Sequence, residues 1–117
     1  MPNPIVHWEL NAADATKAQG FYAGVFGWTI DSNNPMNYGL VQTNTGRGAD
    51  GGITHNEDGP KGFTIYVEVD DLQAYLDKVV GLGGKVVMPV TVIPNMVTFA
   101  LFADPEGNVM GLVKSES

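Results

Sequence analysis

The sequence predicts an α+β fold in which one strand–helix–three-strand unit is written twice. Three observations predict it. Strand-like alternation runs into a helical pattern at two places, over 5–26 and again over 63–82. Fifteen glycines and seven prolines in 117 residues call for many tight turns, hence many short strands. A slide of 57 positions (64 − 7) carries the first half onto the second with no gap through the helix. His7 then meets Thr64, Leu10 meets Val67, Asp14 meets Asp71, Gly27 meets Gly84 and Ile30 meets Val87.

From Ile5 to Ala12 the chain alternates, with Val6, Trp8, Leu10 and Ala12 on one face, which predicts a strand. Asp14 can accept hydrogen bonds from the first free amides of a helix over 15–26. Ala18, Phe21, Tyr22, Val25 and Phe26 recur there at helical spacing, and Gly27 ends it. Gly20 and Gly24 lie four apart inside this helix. Each costs about 1 kcal/mol relative to alanine, and a helix backbone pressed close to the sheet would explain them. Strands are predicted over 28–31, 38–43 and 49–54, the last after the loose turn NTGRG.

The polar linker NEDGPKG (56–62) separates the two units, about 4–56 and about 62–114, within a single domain. Phe63 to Val69 alternates again. Asp70 or Asp71 caps a helix carrying Leu72, Tyr75, Leu76, Val79, Val80 and Leu82 at i, i+3, i+4 and i+7, and Gly83 and Gly84 stop it. Strands follow over 85–88, 97–102 and 108–113, with the turn DPEG before the last. There Pro105 sets φ and Gly107 tolerates a positive φ.

Composition narrows the function. Net charge is −7, and an acidic surface repels phosphate, so neither nucleic acid nor an anionic membrane is an expected partner. Cysteine is absent, which removes disulfides, thiolate metal sites and a thiol nucleophile, and fits a cytoplasmic protein. The start, MPNPIVHWEL, lacks a basic region followed by a long apolar run. The glycines of GRGADGG lack the lysine and hydroxyl of a phosphate loop.

The stretch VHWEL carries the main chemical question. On a strand, His7 and Glu9 share one face and Trp8 and Leu10 the other. If one helix covers one face of each sheet, Trp8, Leu10, Ile65 and Val67 pack against helices. His7, Glu9, Thr64, Tyr66 and Glu68 then line the concave opposite face. Glu9 could raise the imidazole pKa and orient the ring, and the pair could move a proton next to a carbonyl. Equally, His7 and Glu9 could simply satisfy each other. Pairing around the 104–107 turn puts Thr98 with Ala100 and Gly111 on one face, so Thr98 joins the candidates. Tyr38 and Met36 would edge the mouth or merely pack, and Trp28 reads as a core or interface aromatic.

Three pieces in order resemble the vicinal-oxygen-chelate superfamily, the glyoxalase/bleomycin-resistance/dioxygenase group. They are VHWELNAADATKAQGFYAGVFGW, YVEVDDLQAYLDKVVGLGGKVV and TFALFADPEGNVMGLVK. With WEL, FGW and DPEGN the chain is similar to a small bacterial glyoxalase-related subgroup. The resemblance implies two βαβββ modules forming a cup-shaped half-barrel, a homodimer, and in metal-using members a divalent ion. That ion takes one ligand from the first and last strand of each module. Those four positions fall on His7, near Gly52, on Thr64 and on Gly111. One keeps a ligand type, whereas a Zn²⁺ or Fe²⁺ site needs three or four donors.

The expectation is therefore a metal-free pocket for a small, partly apolar organic molecule, lined by His7, Glu9, Gly52, Thr64, Tyr66, Thr98 and Gly111. The two glycines would add volume and remove charge, or only ease strand twist. The alternative is a lyase, isomerase or epimerase acting at a carbonyl, with His7 and Glu9 as acid–base pair. A divalent metal could assist it, and a rearranged His7, Glu9 and His55 triad would have three donors, like a facial triad.

Overall fold

The fold is described from a computed structural model over residues 3–34, 37–43, 45–55 and 62–114. Along the chain run β1 (Ile5–Ala12), α1 (Ala15–Phe26), β2 (Thr29–Asp31), β3 (Gly39–Gln42), β4 (Gly51–His55) and β5 (Gly62–Val69). They are followed by α2 (Leu72–Gly81), β6 (Lys85–Ile93), β7 (Val97–Ala103) and β8 (Val109–Lys114). The repeated βαβββ order is the α+β architecture that the repeat predicts. Met36 and residues 56–61 of the expected linker lie outside the described residues, as does Asn44 of the NTGRG turn.

The chain packs as two compact units, His7–Thr64 and, from Ile65 onward, a second that also takes in the residues up to Val6. The short N-terminal segment is held in the second unit by its own hydrogen bonds. Pro4 O accepts from Glu68 N at 2.9 Å, and Asn3 Oδ1 accepts from the Tyr75 hydroxyl at 3.1 Å.

In the first unit the strands run β2-β3-β4-β1, with β1 parallel to β4 and the other pairs antiparallel. Asp14 caps α1 by accepting from Lys17 N at 3.0 Å, and Gly27 ends it at φ +69°. Leu10, Val41 and Ile53 form the core, flanked by Trp8, Ala18, Tyr22, Trp28 and Ile30. Trp8 and Leu10 thus face the helix as expected, and Trp28 is a core aromatic between Tyr22, Phe26 and Trp8. One polar side chain joins this core: Gln19 is buried and donates to Ile53 O at 3.1 Å. The expected reason for Gly20 and Gly24 does not hold. Both are exposed, and a Cβ at either would meet nothing within 4 Å.

The second unit repeats the order as β6-β7-β8-β5, with β5 parallel to β8. Of the two aspartates, Asp71 is the cap, accepting from Ala74 N at 3.1 Å. The core is aliphatic: Val69, Leu72, Leu76, Ala100 and Leu112, with Val67, Tyr75 and Phe102 against it. Burying a side chain such as Leu76 contributes roughly 1.5–3 kcal/mol. Ile65, Val80 and Leu82 were expected to pack inside but are exposed, Leu82 at 81%. Leu82 lies beyond the last helical residue, and Val80 faces water because the helix buries only a narrow stripe.

β6 runs five residues past the expected end at Met88. Proline is tolerated in a strand where no ladder hydrogen bond is asked of its nitrogen. Pro89 sits on the outer strand of its unit, inside the second of two register shifts, Val86/Met88 and Met88/Thr91, so the strand bulges around it and continues.

Candidate functional site

The residues of interest in the first unit come from three elements. β1 supplies His7 and Glu9, on the face turned away from α1. β4 runs parallel to β1 with Glu9 opposite Gly52. Tyr38 stands one residue before β3, and its hydroxyl lies 2.8 Å from His7 Nε2. The two rings are stacked at 6.3 Å between centroids and 23° between planes.

Tyr38 is held there from both ends. Its backbone is clamped by the Asn34 side chain: Tyr38 N donates to Asn34 Oδ1 at 2.9 Å, and Asn34 Nδ2 donates to Tyr38 O at 2.7 Å. Asn37 takes the left-handed conformation, φ +53°, that turns the chain into the clamp, a conformation asparagine tolerates better than most residues. The ring end is accommodated by Gly52. A Cβ at Gly52 would overlap the Tyr38 ring and hydroxyl. Gly51 plays the same part on the other face, where a Cβ would overlap the Trp8 indole and backbone oxygen. The glycine pair is thus sandwiched between two aromatic side chains.

The second unit holds a parallel arrangement. Tyr66 on β5 lies opposite Gly111 on β8, and a Cβ at Gly111 would overlap the Tyr66 ring. Tyr66 is buried. Under the 57-residue slide Tyr66 corresponds to Glu9, whose partner is Gly52. Gly52 and Gly111 are therefore equivalent positions in the two units.

This corrects the expectation that the two glycines enlarge a pocket. Each space left by a missing side chain is occupied by a phenol ring, because packed sheets leave few voids larger than a water. A second correction concerns Thr98. The expected pairing is one residue out of register: Leu101, not Ala100, lies opposite Gly111, and Ala100 lies opposite Leu112 in the helix-side core. Thr98 shares the face of Ala100, so it stands on the opposite side of the sheet from Gly111. Phe99 and Leu101 are among the β7 residues on the Gly111 face, and Thr64 remains on the Tyr66 face of β5. Sequence reasoning missed Asn34, and it left Tyr38 either edging the mouth or merely packing. The signal available was the N-x-x-N-Y-G run before a strand whose neighbour begins GG.

Burial pushes the His7 imidazole below its ordinary value of 6.5, because the imidazolium loses hydration. The expected rise from a neighbouring Glu9 is therefore not the net result: desolvation wins, and His7 is neutral at neutral pH. His55 lies at the exposed end of β4 and alternates onto the Ile53 face, away from the Gly52 face that His7 shares. The rearranged triad is thus not assembled. Among the described residues no three His, Cys, Asp or Glu side chains are grouped to hold a metal ion. At the four positions carried over from the resemblance the side chains are His7, Gly52, Thr64 and Gly111, which do not fit a divalent ion.

The family model described as the Glyoxalase/Bleomycin resistance protein/Dioxygenase superfamily matches residues 4–112. The chain belongs to this superfamily. Among curated relatives, "Putative glyoxylase CFP32" of Mycobacterium tuberculosis is 35% identical over 111 residues, covering 89% of this chain and 42% of the relative. The chain thus spans less than half the length of that relative. A "Glyoxylase-like domain-containing protein" of Didymella fabae is 34% identical over 108 residues, 86% of this chain and 84% of the relative. Among solved structures, hypothetical protein BH1468 from Bacillus halodurans superposes with a TM-score of 0.74 at 12% identity, over 100% of this chain and 97% of that one. Methylmalonyl-CoA epimerase from Mycobacterium tuberculosis superposes with a TM-score of 0.70 at 16% identity, over 97% and 88%. These likenesses establish the glyoxalase-type fold.

Proposed function

We propose that this superfamily member binds a small, partly apolar organic molecule on the helix-free face that carries His7, Glu9 and Tyr38, without a resident divalent metal. One observation carries the reading: both positions where the family resemblance implies a liganding carboxylate, Gly52 and Gly111, lie beneath tyrosine rings. A face of phenol rings and a neutral imidazole suits an organic guest that stacks and shares hydrogen bonds.

The test has two stages. Elemental analysis of protein purified without added metal is expected to give far less than one equivalent of Zn, Ni, Mn or Fe; a stoichiometric ion would overturn the metal-free part. A thermal-shift screen of small uncharged aromatic and carbonyl compounds is then expected to give hits that Tyr38→Ala abolishes.

A second reading rests on the neutrality of His7, which leaves it able to accept a proton near pH 7. In that reading the protein is a lyase, isomerase or epimerase acting at a carbonyl, with His7 and Glu9 as acid and base. Methylmalonyl-CoA epimerases share the fold. His7→Ala separates the two: turnover of a screening hit lost with binding retained favours the enzyme. We further propose the homodimer that the resemblance implies, for which exposed Phe21, Val25 and Phe26 on α1 and the valines of β6 offer apolar surface. Light scattering giving a monomer mass at micromolar concentration would reject it. Cytoplasmic location stands as a proposal on the cysteine-free composition; among the described residues no helix is long and apolar enough to cross a membrane.

A further inference from the structure

We infer that Tyr38 is the positioning residue of His7: its hydroxyl donates to Nε2 and holds the neutral ring in the tautomer with hydrogen on Nδ1. The inference deepens the proposed binding face and rests on that reading for its consequence, not for its test.

The geometry leaves one hydrogen to be shared between two heavy atoms 2.8 Å apart. Either Nε2–H donates to the phenol oxygen, or the phenol donates to an Nε2 lone pair. The second is favoured by acid–base chemistry. A phenol is a far stronger acid than a neutral imidazole N–H, and an imidazole lone pair is a far better acceptor than a phenol oxygen. Because burial keeps His7 neutral, the lone pair is present to be used. The tautomer of a histidine is set by the hydrogen bond that its other nitrogen makes.

Three independent features are spent on putting this hydroxyl there. Gly52 vacates the volume the ring end occupies. Asn34 binds both backbone polar groups of Tyr38. Asn37 accepts a left-handed φ immediately before it. A tyrosine placed only for packing would need none of the clamp.

The consequence is that the Tyr38 oxygen is left as an acceptor, while His7 keeps a donor at Nδ1. A phenol that donates its own hydrogen becomes a better acceptor at oxygen. Glu9 adds a carboxyl on the same face. The guest that fits is a hydrogen-bond donor without negative charge, such as a phenol, an alcohol or an amide. A thioester carrying phosphates is disfavoured there.

The test is ¹⁵N-detected NMR of the ligand-free, full-length protein at pH 8. The two histidines are distinguished by the signals lost in His55→Gln. In the wild type, His7 Nε2 is expected at an acceptor-type shift and Nδ1 at an N–H-type shift. Tyr38→Phe removes one oxygen, and the two shifts are expected to exchange or average. Gly52→Ala keeps the hydroxyl but displaces the ring, and the same change is expected. An N–H-type shift at Nε2 in the wild type, or an unchanged pattern in both variants, overturns the inference. A screen without hits would sink the binding proposal while leaving this spectrum intact, so the two failures are distinguishable.

Discussion

The two units solve the same problem with different materials. Each has one helix over one face of a four-stranded sheet, and each carries a glycine in its last strand beneath a tyrosine ring. In the second unit the ring comes from the adjacent strand, so Tyr66 is fixed by the sheet itself and packs as core. In the first unit Tyr38 comes from outside the sheet and covers Gly52 with its polar end. That end touches His7. The second unit's core is aliphatic, whereas the first relies on overlapping aromatic rings and one buried amide. The lesson is that the first unit exchanges packing regularity for a polar contact, which is what a functional face requires.

That contrast can be broken most forcefully at the second unit's core. Leu76→Ala is expected to cost about 2–5 kcal/mol, since Leu76 is 1% exposed and its removal leaves a cavity. Urea unfolding gives the value, and a cost under 1 kcal/mol would show that the aliphatic core is not the anchor described.

The glycine pair sharpens the comparison. Gly111→Ala presses on the body of a buried ring and is expected to cost about 1–3 kcal/mol, as overpacking does. Gly52→Ala presses on the far end of Tyr38, which can swing, and is expected to cost less than about 1 kcal/mol. Equal costs in denaturant titrations would mean that the two tyrosines are held alike.

Gly20→Ala and Gly24→Ala work in the opposite direction. Both positions are exposed within α1 with open space around them, so each alanine is expected to stabilise by about 0.5–1 kcal/mol. Destabilisation by either would point to a neighbour on that face.

The smallest effect is set by pH. The folded pKa of His7 lies below its ordinary value, so the unfolded chain binds the proton first as pH falls. Stability from this group is full above about pH 6.5 and declines as pH drops toward the folded pKa. His7→Gln is expected to flatten that part of the stability profile, measured as unfolding midpoint between pH 8 and 5. An identical slope in wild type and variant would show that His7 is not the group buried in its neutral form.

Local chemistry made most of the architecture legible. The 15–26 helix, its Asp14 cap and Gly27 stop are set by hydrogen bonds and φ angles within a few residues. Alternation in VHWEL placed Trp8 and Leu10 toward the helix because side-chain period is a property of the strand alone. The superfamily resemblance placed the equivalent positions Gly52 and Gly111. Pairing is different: Thr98 was assigned to the wrong face because a one-residue slip in an antiparallel register reverses every side chain, and nothing within β7 or β8 reports that slip.

The sequence by itself determined the two βαβββ repeats and the limits of the first helix, since caps and periods are local, and the superfamily resemblance implied the carboxylate positions where Gly52 and Gly111 stand. Only the tertiary structure decided what fills the space those carboxylates leave. Tyr38 reaches His7 across 31 positions of chain. A contact of that span depends on strand order, on the bare Cα of Gly52 and on the Asn34 clamp together, and no short stretch of residues encodes it.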